Sequence, residues 1–186
     1  DYSRLLADSV YKYDGMVDKF TGDGLMAIFG APITQENNAE MAIRAALDMQ
    51  VGIDKVNKEI RNRLGIELQM RVGLNAGPVI VGNVGSQNRM EYTAIGNTVN
   101  LASRLEQAAK PGTILTSESV YQQTKGLFEF EAVPPLTLKG VPEPVQAYRV
   151  VAVKQKPAST RGLEGVYAPL IGRETELAKL NELLKS

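Results

Sequence analysis

Residues 16–32, MVDKFTGDGLMAIFGAP, constrain the fold more than any other stretch of the chain. Two apolar runs, residues 16–20 and 25–29, flank Thr21-Gly22-Asp23-Gly24. Asp-Gly between β-prone runs predicts a tight hairpin, because such a turn needs residues that tolerate positive φ. Leu25, Ala27 and Phe29 fall on one side of the second run, and Met26 and Ile28 on the other. Apolar side chains on both faces predict a strand at the centre of a covered sheet. A carboxylate at the tip of such a hairpin is held rigidly and still reaches solvent, a setting that suits a Mg²⁺ ligand. Asp-Gly is equally a plain turn former, so the hairpin alone leaves Asp23 between two roles.

Composition removes several classes of chemistry. The chain has no cysteine and no histidine, which excludes disulfides, thiol nucleophiles, Cys/His zinc sites and imidazole triads. Proton transfer falls to carboxylate, lysine, tyrosine, substrate or metal-bound oxygen. With 21 basic and 21 acidic residues the formal charge is zero, so no basic field marks a nucleic-acid polymer or an anionic membrane as partner. No run reaches membrane-spanning length, and no signal-peptide pattern opens the sequence, which makes the cytoplasm the expected compartment.

Periodicity organises the rest. Leu5, Leu6, Val10 and Tyr13 predict a helix over residues 2–13. A longer helix is predicted over residues 39–64, with Asn37 and Glu40 as a capping box, an apolar stripe including Ile43, Leu47, Val51 and Ile53, and Gly65 as its stop. Alternation over residues 66–72 predicts a half-buried strand. Residues 79–81 and 89–95 read as strands around a glycine-punctuated turn at residues 82–88, a hairpin able to project toward a partner subunit. A helix over residues 97–108, a strand over 112–116 and a short helix over 117–124 follow. Strands over 128–132, 136–138 and 145–153 close the domain, with Pro134-Pro135 bending the chain between the first two. Residues 154–168 lack periodicity and read as a linker, and residues 169–186 hold a short amphipathic helix. The irregular alternation, hairpins included, predicts an α/β (α+β) fold of ferredoxin-like or split βαβ kind with a mostly antiparallel sheet.

A second stretch carries chemistry: residues 91–105, EYTAIGNTVNLASRL, run from a strand through Gly96 into a helix. Asn97, Asn100 and Arg104 share one helical face, with Val99, Ala102 and Leu105 on the other. Amides and a guanidinium near a helix N-terminus suit an anionic ligand, and they equally suit a solvated surface.

KFTGDGLMAIFG, RVGLNAGPVIVGNVG and YTAIGNTVNLASRLE, in that order and spacing, resemble the class III nucleotidyl cyclases across residues 1–153. The match is nearest to adenylyl cyclases of bacterial type. The resemblance implies that Asp23 is one of two aspartates holding two Mg²⁺ or Mn²⁺ ions. It implies that Lys19 reads the adenine edge, with Thr93 at the position of the second base-reading residue, where many members have Asp. A lysine donor fits adenine N1, whereas the protonated N1 of guanine would repel it. Asn100 would orient the ribose, Arg104 would stabilise charge at the α-phosphate, and Lys139 would grip the terminal phosphates. The implied reaction is attack of the ribose 3′-oxygen on the α-phosphorus of ATP, giving 3′,5′-cyclic AMP and pyrophosphate. Sites in this family lie between two catalytic domains, and this chain carries both sets of positions, so a homodimer is expected.

The Lys/Thr pairing resembles the subset of cyclases associated with bicarbonate stimulation. The family opens with a strand carrying the other metal aspartate, and this sequence begins after that point. PLIGRETELAKL, near the end, resembles the entry into an ATPase-type regulatory module. Guanylyl cyclase activity, or a non-catalytic cyclase homology domain serving as a regulatory dimer partner, are the alternatives that the same residues allow.

Overall fold

The computed structural model describes residues 2–33, 35–86 and 89–155. Its elements are α1 (Tyr2–Lys12), β1 (Met16–Thr21), β2 (Gly24–Ile28), α2 (Asn38–Leu64), β3 (Val72–Leu74) and β4 (Ile80–Ser86). These are followed by β5 (Arg89–Ile95), α3 (Asn97–Ala108), β6 (Ile114–Ser117), α4 (Glu118–Thr124), β7 (Phe128–Leu136) and β8 (Val145–Val153). The fold is α+β with mostly antiparallel pairing: β3 and β6 are parallel, and every other strand pair is antiparallel. The predicted linker and C-terminal helix lie outside the described residues, apart from Lys154 and Gln155.

A four-stranded sheet of order β3-β6-β8-β7 carries the core. Side chains alternate across a strand, so neighbours face opposite layers. Ile114 packs with Ile43 and Ala46 of α2, Val120 of α4 and Val150 of β8. Leu115, one residue on, packs with Leu105 of α3 and Ala147 of β8. Helices thus cover both faces, and all four residues of β6 are buried. The covered central strands are β6 and β8, rather than the 16–29 hairpin of the sequence reading. β1 and β2 pair with each other as a separate two-stranded sheet. Val17, Leu25, Ala27 and Phe29 rest on Leu6 and Val10 of α1 and Met49 of α2, which accounts for the apolar content of the hairpin without a central position.

Several local expectations are corrected. The capping box does not form: Asn37 makes no side-chain cap hydrogen bond, and the Glu40 carboxylate pairs with Arg44 one turn on, at 2.8 Å. Gly65 does end α2, in the left-handed conformation at φ 67°. Val51, placed on the apolar stripe, is 53% exposed. Residues 66–71 are not a strand. Side chains of α2 satisfy part of their backbone where a neighbouring strand would: Asn57 donates to the Leu68 carbonyl and accepts from the Leu68 amide, each at 2.8 Å, and Gln50 donates to the Met70 carbonyl, which also accepts from the Gly112 amide. β4 continues through Gly82 and Gly85 and pairs with β5 as far as Ser86 and Arg89, so residues 82–86 are strand rather than turn; residues 87 and 88 lie outside the described residues. β7 runs through both prolines, with its register shifting between Val133 and Leu136. It lies at one edge of the sheet, where a residue without an amide hydrogen forfeits no inner ladder bond.

Candidate active site

Asp23 sits exposed at the tip of the β1–β2 hairpin, beside Gly22 at φ 69°. It faces the start of α1, where the Tyr2 phenol is pushed above its ordinary pKa by burial and, secondarily, by the negative charge of Asp23. A single exposed carboxylate supplies hard oxygen ligands, which suits Mg²⁺ or Mn²⁺ held largely by substrate phosphates. Among the described residues no three acidic side chains cluster as a metal cage. The donor set therefore fits an ion that arrives with a nucleotide.

Lys19 and Thr93 lie far apart in sequence, and the fold joins them through a residue that the sequence reading passed over. β1 and β2 slip register between Val17 and Lys19, which leaves Asp18 as the extra residue of a β-bulge. Bulges re-aim side chains, and here the carboxylate of Asp18 turns fully out of solvent. Its Oδ2 accepts the Thr93 hydroxyl at 2.8 Å and lies 3.5 Å from Lys19 Nζ. Its Oδ1 is buried without a hydrogen-bond partner. Thr93, on β5, is itself buried. The signal in the sequence was an acidic residue directly before Lys19 in a β-prone run.

The other predicted positions gather on α3 and beside it. Gly96, at φ 146°, precedes the helix. Asn97 and Asn100 are exposed and Arg104 is half-buried, while Leu105 is fully buried on the opposite side. Arg104 Nη1 donates to Gln107 Oε1 at 3.0 Å, along the same helix. Lys139 is exposed in the turn after β7. Its neighbour Leu138 is buried in the same cluster as Leu105, which anchors the Lys139 turn against the helix that carries Arg104. Gly73 lets α3 approach β3 so closely that a Cβ there would meet the Ala102 carbonyl oxygen.

The model of the adenylate and guanylate cyclase catalytic domain matches residues 5–152. The chain belongs to this class III cyclase family. It is 36% identical over 155 residues to adenylate cyclase 1 of Rhizobium meliloti, an alignment covering 82% of this chain and 23% of that protein. Among solved structures it is similar to the adenylyl cyclase CyaB from P. aeruginosa, with TM-score 0.80, 36% identity, and coverage of 83% of this chain and 80% of that one. It is also similar to the guanylate cyclase domain of RhGC from Catenaria anguillulae in complex with GTP, with TM-score 0.75, 30% identity, and coverage of 82% and 81%. The chain spans about a quarter of the length of the curated relatives it matches. No helix among the described residues is long and apolar enough to cross a membrane.

Proposed function

We propose that this cyclase domain converts ATP to 3′,5′-cyclic AMP and pyrophosphate, at sites shared between two copies of the chain. The observation that carries the choice of ATP is the junction of Lys19 and Thr93 on Asp18. Similar structures include enzymes described as adenylyl and as guanylate cyclases, so likeness of fold does not choose the base. The side chains at the base support ATP. Lys19 donates to the unprotonated N1 of adenine and would meet a hydrogen on N1 of guanine.

Asp23 would hold the divalent ions at the hairpin tip. When bound, those ions lower the pKa of the ribose 3′-hydroxyl and neutralise phosphate charge. Asn100 orients the ribose, so that the 3′-oxygen stands in line with the α-phosphorus. Arg104 meets the charge that builds on the α-phosphate as pyrophosphate departs, and Lys139 holds the terminal phosphates. Alignment and charge neutralisation are most of what such a reaction needs, which is consistent with a chain that lacks histidine.

Two copies are favoured by the apolar surface around the hairpins. Phe20 is 53% exposed beside Lys19, and the cross-strand pair Ile80 and Ile95 is 76% and 48% exposed. Large apolar side chains exposed in this way mark a contact surface.

The test is product analysis with ATP and GTP in Mg²⁺ or Mn²⁺, followed by subunit mixing. Cyclic AMP from ATP is expected in clear excess over cyclic GMP from GTP. Asp23→Ala and Asn100→Ala protomers, each inactive alone, regain activity when mixed, since each mixed dimer carries one intact site. Equal use of both triphosphates overturns the choice of base. Failure to recover on mixing overturns the shared site.

A further inference from the structure

The reading above uses Asp18 only as the junction between Lys19 and Thr93 and gives it no role of its own. Its carboxylate is fully removed from solvent, and one oxygen has no hydrogen-bond partner. A buried polar atom left unpaired costs stability. If the residue served only to tie β1 to β5, a neutral amide would join Thr93 with less desolvation. An amide lacks two features of the carboxylate, the negative charge that pairs with Lys19 and acceptor-only character, and the second is what bears on Thr93.

We propose that Asp18 is a positioning residue that sets which purine the site admits, by taking the hydroxyl proton of Thr93. A threonine hydroxyl has one donor and two acceptor lone pairs, whereas an ionised carboxylate only accepts. Thr93 therefore spends its proton on Asp18 Oδ2, at 2.8 Å. Toward the base it can offer lone pairs alone. Lone pairs accept from the amino group at C6 of adenine and repel the carbonyl oxygen at C6 of guanine. The bulge at Asp18 is what makes the arrangement possible, because it turns two successive side chains of β1, those of Asp18 and Lys19, to the same place. The inference rests on Lys19 and Thr93 being the base readers.

The experiment compares kcat/KM for ATP, GTP and purine riboside triphosphate, which lacks the C6 amino group, in the full chain and in Asp18→Asn. The asparagine amide can donate to Thr93 and release its proton toward a carbonyl. The ATP-to-GTP ratio is expected to fall at least about tenfold, and the preference for ATP over purine riboside triphosphate to shrink with it. In a Thr93→Val background, Asp18→Asn is expected to change the ratio no further. Where Asp18→Asn does not fold, as judged by thermal melting, Asp18→Ser makes the same measurement. A ratio within about twofold of the unmutated protein in either folded variant overturns the proposal, as does an equal loss of selectivity with Thr93 already replaced. An unmutated protein that does not prefer ATP, or a Lys19→Ala variant that keeps the preference, overturns the underlying base reading instead.

Discussion

Replacing Gly73 by alanine tests how the helix bearing Asn100 and Arg104 is held. An ideal Cβ at Gly73 would lie 2.2 Å from the Ala102 carbonyl oxygen and 2.2 Å from the Glu106 amide nitrogen. Non-bonded heavy atoms need roughly 3.5 Å, so α3 must retreat from β3 by about 1 Å. Both obstacles are backbone, so no side-chain rotation relieves the clash. Overpacking of this kind costs about 1–3 kcal/mol. With a urea slope of roughly 2 kcal/mol/M, the unfolding midpoint falls by about 0.5–1.5 M. The same retreat moves Asn100 and Arg104, and a misplacement near 1 Å costs about 10²-fold in turnover. Urea denaturation followed by circular dichroism and single-turnover cyclase kinetics read the two effects separately. Gly82→Ala is the control, since nothing lies within 4 Å of its Cβ position, and its midpoint should hold. A Gly73→Ala protein with unchanged midpoint and unchanged turnover would refute the close seating of α3 on the sheet.

Three further outcomes are expected. Arg104→Ala should lower kcat by about 10²–10³ with little change in urea midpoint, because its hydrogen bond to Gln107 stays on its own helix; near-normal kcat would remove Arg104 from the reaction. Asn57→Ala strips both hydrogen bonds from the Leu68 backbone and should cost about 2–3 kcal/mol, with faster hydrogen exchange at the Leu68 amide; unaltered exchange would contradict the bracket. Tyr148 donates to Glu118 at 2.5 Å, and that bond, with burial and the charge of Glu118, pushes its pKa up to about 12. The folded state thus holds this proton more tightly. The stabilisation is complete below the ordinary value of 10.0 and is lost as pH rises through about 12. Ultraviolet titration should show a late tyrosine step that Tyr148→Phe removes.

What the sequence disclosed depends on where each residue finds its partners. α3 begins and ends where its periodicity and Gly96 place it, because both signals are local. The run over residues 66–72 alternates like a strand, but alternation says only which side chains are buried. Asn57 and Gln50, a long way back in the chain, supply the hydrogen bonds that a strand would have supplied. Pro134-Pro135 looked like a break because proline cannot donate, and an edge position makes that loss harmless. At the candidate site, the roles proposed for Lys19, Asp23, Thr93, Asn100, Arg104 and Lys139 come from motif resemblance. Asp18 was not, since its importance comes from a register slip and from a strand 75 residues away. No spacing rule in one sequence reports such a contact.

The two prolines on the outer strand carry a consequence for how copies of this domain meet. At Pro134 and Pro135 β7 has no amide hydrogens to offer, so a foreign strand cannot pair without interruption along this border of the sheet. Lengthening the sheet by strand addition is disfavoured at that end of β7. Contact through side-chain surfaces, whose fit can be specific, is favoured there over main-chain pairing, which accepts nearly any sequence.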